Sequence, residues 1–106
     1  MPSSKSYLDF ILEQLSDLED ISSRAMMGEF IIYYRGKTVG GIYDDRLLVK
    51  AIPSAIACMP NAPYELPYEG AKKMLLVEEI ENKAFMVGLF NAMYDELPEP
   101  ASKKKK

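Results

Sequence analysis

Any chemistry in this chain must come from carboxylates, lysines, tyrosines and one thiol, because its 106 residues include no histidine. Without imidazole, Ser-His or Cys-His nucleophile activation is closed, and the usual zinc sets cannot be assembled from the lone Cys58 and carboxylates. The first acid/base or metal candidate is therefore the pair Asp44 and Asp45 in "GGIYDDRLLVK", set between two apolar runs. Neighbours on a strand point to opposite faces, so two adjacent carboxylates converge on one ion only where the backbone turns. A turn is expected at that place, but no spaced Asp/Asn/Glu pattern like a calcium loop follows it. Aspartate also favours turns by bonding nearby backbone N–H groups, and turn chemistry is the reading taken. "GKT" at Gly36 to Thr38 imitates the end of a phosphate-binding loop. It fails twice: Ile31 stands where the pattern needs glycine, and a strand follows where it needs a helix.

Charge narrows the partners. Formal net charge is -3, yet four of the thirteen basic residues are the terminal run Lys103 to Lys106. Without that run nine basic residues face sixteen acidic ones, a poor balance for holding phosphates. Residues 24–50 lean the other way, with Arg24, Arg35, Lys37, Arg46 and Lys50 against Glu29, Asp44 and Asp45. Those five residues are the candidate nucleic-acid contacts. Tyr33, Tyr34, Tyr43, Tyr64 and Tyr68 could add stacking surfaces, which work only beside a basic groove. No run approaches the roughly 18 apolar residues of a membrane span, and no signal-peptide pattern opens the chain. A single unpaired thiol fits a reducing compartment, so a cytoplasmic protein is expected.

The length suits one domain, expected over residues 1–101, with 102–106 as a solvated, disordered lysine tail. Ser6 to about Asp20 reads as a helix, with Leu8, Ile11, Leu12, Leu15 and Leu18 on one stripe and Ser6 capping the first turn. From Glu29 to Lys50 the sequence turns to Phe, Ile, Tyr and Val, broken at "RGK" and "DD", and reads as three strands. Gly40 and Gly41 in the middle strand predict a bulge or a close backbone approach. Pro53 opens a short helix that Pro60 stops, with Cys58 expected as a small buried hydrophobe inside it. "PNAPYELPYEG" is extended or turning on the surface, and "KKMLLVEEI" is a strand with Leu75 and Val77 opposite Leu76 and Ile80. Asn82 caps a last helix that runs to about Leu97 before Pro98. The fold class is α+β: an antiparallel sheet packed by N- and C-terminal helices in two layers, in the order α-β-β-β-α-β(β)-α.

Two apolar segments are candidate interaction surfaces. The last helix, "AFMVGLFNAMYDEL", is apolar around most of its circumference, beyond the stripe of about 100° that a surface helix needs. Either it is central to the core, or Met86, Phe90 and Tyr94 meet a second chain; Gly88 would permit close approach in both cases. Met26 and Met27, in "RAMMGEF", either fill the core or offer an adaptable binding patch.

The segment "RAMMGEFIIYYRGKTVGGIYDDRLLVK", with Arg24, Met26, Met27 and Gly28 at its start, resembles the N-terminal domain of the TfoX, or Sxy, competence-regulator family. The likeness continues through "YELPYEGAKKMLLVEE" and "NAMYDELPEP" and spans about residues 5 to 100. The resemblance implies a bacterial two-layer α+β domain similar to secretion-chaperone folds, without catalytic residues or a cofactor, in which Asp44 and Asp45 belong to a β-turn. It further implies co-activation of transformation genes together with a DNA-binding transcription factor. Full-length members carry a second, C-terminal domain, and this chain is expected to be the stand-alone form.

The expected function is thus a non-enzymatic protein-interaction module connected with competence and transcription regulation, working through a protein partner and a candidate homodimer. The alternatives are direct nucleic-acid binding through the basic hairpin region and lysine tail, or a small ligand-binding protein using Asp44, Asp45 and nearby tyrosines.

Overall fold

Apolar and β-branched residues are densest between Glu29 and Val49, and the sheet is built around that stretch. The computed structural model describes residues 4–26, 28–67 and 69–97. In chain order its elements are α1 (Lys5–Gln14), β1 (Ile21–Met26), β2 (Glu29–Tyr34), β3 (Lys37–Ile42), β4 (Leu47–Val49), α2 (Pro53–Cys58), β5 (Tyr64–Glu65), β6 (Met74–Leu76) and α3 (Lys83–Tyr94). The strands form one six-stranded sheet in the order β1-β2-β3-β4-β6-β5, antiparallel at every pairing. Helices cover one face, as the α+β reading expects.

Period-two alternation sorts the strands between the faces. Ile32, Tyr34, Val39, Ile42, Leu47 and Val49 join the helix-covered core, where α1 contributes Leu8 and Ile11 and α3 contributes Met86, Leu89, Phe90 and Met93. The opposite face carries a smaller cluster of Ile31, Tyr43 and Leu48, flanked by Tyr33, Met74 and Leu76. Leu75 and Val77 point into the main core and Leu76 away from it, as their alternation predicts. Ile80 differs: β6 ends at Leu76, the period lapses, and Ile80 packs against the main core.

The middle-strand glycines are required by backbone proximity. A Cβ on Gly40 would run into the Leu48 carbonyl oxygen and lie 2.7 Å from the Val49 Cα, and one on Gly41 would lie 2.6 Å from the Phe30 carbonyl oxygen. The β2–β3 register also shifts beside them, leaving Val39 as the extra residue of a bulge.

Local signals explain the helix ends. Asn82 Oδ1 accepts the Phe85 N–H at 3.1 Å and caps α3, while Pro53 sits in the first turn of α2. For α1 the cap is Ser4 and not Ser6: the Ser4 hydroxyl accepts the Tyr7 N–H at 3.2 Å. This helix stops at Gln14, well before Asp20, and Leu15 and Leu18 continue its apolar stripe through turns.

Three further expectations need correction. β1, "ISSRAM", lacks strand-forming composition and is an additional strand, held by its complete register with β2. Cys58 is exposed, because α2 spans less than two turns and presents Ala55 to the core. A Cβ on Gly88 would meet nothing within 4 Å, so no element approaches α3 there. The predicted stop at Pro98 and the lysine tail lie outside the described residues.

Candidate functional site

Asp44 and Asp45 both adopt φ 57° and form the two-residue loop between β3 and β4, closed by reciprocal Tyr43–Arg46 backbone bonds of 2.9 and 3.0 Å. Positive φ at both loop positions is the hairpin geometry whose twist matches the flanking strands, and Asp tolerates it well. The carboxylate of Asp45 accepts the Ser4 N–H at 2.8 Å, tying the start of α1 to this turn, and the Asp44 N–H donates to Glu29 Oε1 at 3.1 Å. Among the described residues no three His, Cys, Asp or Glu side chains group as metal ligands would. Nearby Tyr7 has its phenol pKa raised, first by burial and then by the Asp45 charge, against a lowering backbone bond at Leu47. The pair is a structural turn.

The basic candidates do not form one patch. Lys37 is buried, with Nζ donating to the Tyr94 carbonyl oxygen at 3.1 Å and lying 4.2 Å from the Tyr94 ring centroid. Its ammonium thereby meets an end carbonyl of α3, where the helix dipole is negative. Arg35 approaches the other candidates through the same ring, 5.6 Å from its centroid, and pairs with Glu19 at 3.8 Å. Arg46 reaches across to the far edge, donating to Glu65 Oε1 at 3.0 Å and to the Tyr43 carbonyl at 3.1 Å. Lys37 is therefore off the surface, and Arg46, half-buried, is committed to contacts within the chain.

Lys50 has different company. It lines an open groove of about 740 Å³ on the second sheet face together with Thr38, Tyr43, Met74, Lys72 and Lys73. Sequence reading missed Lys72 and Lys73; their only signal was their adjacency in "GAKK". Tyr34 and Tyr43 are buried, Tyr33 is half-buried on β2, Tyr64 is exposed on β5 at the far edge of the sheet, and Tyr68 lies outside the described residues, so the described tyrosines supply no common stacking platform.

The apolar candidates separate just as sharply. Met86 and Phe90 are 0% exposed, so the helix's excess apolar surface is closed inside this chain and those two residues have no surface to offer. Tyr94 is half-buried between Arg35, Lys37 and Tyr34. Met26 is 51% exposed, at the end of edge strand β1, and Arg24 is exposed on the same strand; Met27 lies outside the described residues. β1 pairs with β2 on one side along its whole length, and no described strand pairs with its other side. Among the described residues that outer edge is left uncovered by any strand.

Over residues 13–100 the chain matches the TfoX N-terminal domain. It belongs to that family. The TfoX N-terminal domain marks a competence-related, regulatory and non-enzymatic family. A curated relative from Spirochaeta aurantia, described as an uncharacterized 12.7 kDa protein in the trpE 5' region, is 27% identical over 107 residues, covering 100% of this chain and 93% of its own length. No solved structure matches this TfoX N-terminal domain. Among its described residues no helix is long and apolar enough to cross a membrane.

Proposed function

We propose that this TfoX N-terminal domain is a protein-interaction module of transcription control, connected with DNA-uptake competence and acting without catalysis through a protein partner in the cytoplasm. The observation that carries the reading is the outer edge of β1, a six-residue strand whose outer backbone groups have no partner strand among the described residues. Strand addition at such an edge draws affinity from main-chain bonds and selectivity from the alternating side chains, here Ser22, Arg24 and Met26 on one face. Membership of a regulatory family supports it.

The test is co-purification of the tagged full chain from nuclease-treated native lysate, run beside a Ser23→Pro variant, whose lost N–H belongs to the outer side of β1. Recovery of a transcription factor or polymerase subunit with the wild type, lost with the variant, is the expected result. Unchanged transcripts of DNA-uptake genes after deletion of the gene would refute the competence connection.

The groove gives a second reading, direct nucleic-acid contact, a different basis from the basic hairpin: Lys50, Lys72 and Lys73 share it. It requires salt-sensitive binding of labelled DNA or RNA that Lys72→Glu with Lys73→Glu abolishes.

A further inference from the structure

The geometry of β1 says more about its occupant. The Arg35 N–H donates to the Asp20 carbonyl oxygen at 2.9 Å, which fixes the parity of the β1–β2 ladder. Hydrogen-bonded and non-bonded pairs alternate along an antiparallel ladder, so Ser22, Arg24 and Met26 bond inward to Tyr33, Ile31 and Glu29. Ile21, Ser23 and Ala25 consequently turn their N–H and C=O groups outward. The register also sets the side-chain faces: Ser23 lies opposite Ile32 of the helix-covered core, and Arg24 opposite Ile31 of the second face.

Resting on the reading of β1 as the contact edge, we propose that, while no other partner holds it, its occupant is a second copy of this chain, paired β1 to β1 antiparallel about a two-fold axis at Ser23. Self-pairing and partner capture are thus alternatives at one edge. Self-pairing through the outward groups must match odd-numbered residues with odd, and the axes that engage more than one outward residue lie at Ser22, Ser23 and Arg24. An axis at Arg24 sets two guanidinium groups directly opposite each other, a destabilising arrangement. An axis at Ser22 leaves Ala25 outside the ladder. The axis at Ser23 uses all three outward residues, sets Ile21 against Ala25 of the second copy, and places each Arg24 opposite Ser22 of the second copy. The strand is thus its own complement, as an isologous contact requires. Nothing on it opposes pairing: it contains no proline, lysine or acidic residue, and its one charge is accommodated by this register. The contact is that of a single strand edge, at the small end of specific interfaces, so association is weak and concentration-dependent.

The experiment is sedimentation velocity of the full chain over a concentration series, with Ser22→Asp, Ser22→Lys and Ser23→Pro. Ser22 is exposed, so its variants leave folding intact. The expected result is a reversible dimer, tightened about threefold to tenfold by Ser22→Asp, which gives both Arg24 side chains a carboxylate, and weakened similarly by Ser22→Lys. Ser23→Pro, which removes the central outward donor, remains monomeric. A wild type that stays monomeric at every concentration overturns the proposal; so does a dimer indifferent to the charge at position 22. If the chain is monomeric while Ser23→Pro still abolishes capture of another protein, only the self-pairing fails and the interaction-module reading stands.

Discussion

The two edges of the sheet are built by opposite rules. β5 has two residues, Pro63 precedes it, Pro67 follows closely, and Arg46 clamps it through Glu65. β1 has six residues, complete pairing on its inner side and none of those devices. Prolines and short length are ordinary ways to deny an edge to other chains. Among the described residues one edge is protected in this manner and the longer one is left without a partner, so edge exposure is selective within a single sheet.

The strongest way to break that comparison is through α3, since it assumes that the apolar helix is not the exposed surface. Phe90→Ala should cost about 3–5 kcal/mol of stability by denaturant unfolding, the loss typical of a buried aromatic. A near-neutral result would return α3 to the surface and remove the edges' claim. A smaller effect sharpens the protected side: Arg46→Ala should cost about 1 kcal/mol, because the Glu65 pair is partly solvated but the bond to the Tyr43 carbonyl is lost as well. Amide exchange should rise at β5 and not at β1. Equal protection at β5 in both proteins would mean that Pro63 and Pro67 guard the edge unaided.

Away from both edges, Gly88→Ala should add up to about 1 kcal/mol, because its Cβ meets nothing and alanine is the better helix former. A loss of stability there would point to an approach to α3 that neither edge supplies. The smallest effect concerns the turn region between the edges. Tyr7 has a raised folded-state pKa, so its contribution is fully present below the unfolded phenol value of about 10 and is lost as pH rises through the folded one. Tyr7→Phe should flatten that alkaline decline in thermal melts. An identical decline in the variant would assign it to other groups.

Much of this was legible because the signals are local. The hairpin turns at "RGK" and "DD", the Asn82 cap and Pro53 at a helix start each depend on a few adjacent residues whose backbone preferences act alone. β1 was illegible for the converse reason: "ISSRAM" has little strand preference, and what holds it is the ladder to β2, a property of two segments together. The candidate site divides similarly. Met26 was visible as an unassigned apolar residue, whereas Lys72 and Lys73 gain meaning only through the groove that they share with Lys50.

By itself the sequence determined the α+β class, the turn role of Asp44 and Asp45, the closed routes of imidazole chemistry and the family, since composition and short-range geometry suffice for each. Tertiary structure alone decided that Met86 and Phe90 are inside, that Lys37 and Arg46 are committed to internal contacts, and that no described strand pairs with the outer edge of β1. Burial, pairing and exposure depend on which distant segments meet, and a periodic pattern names a face without naming what covers it.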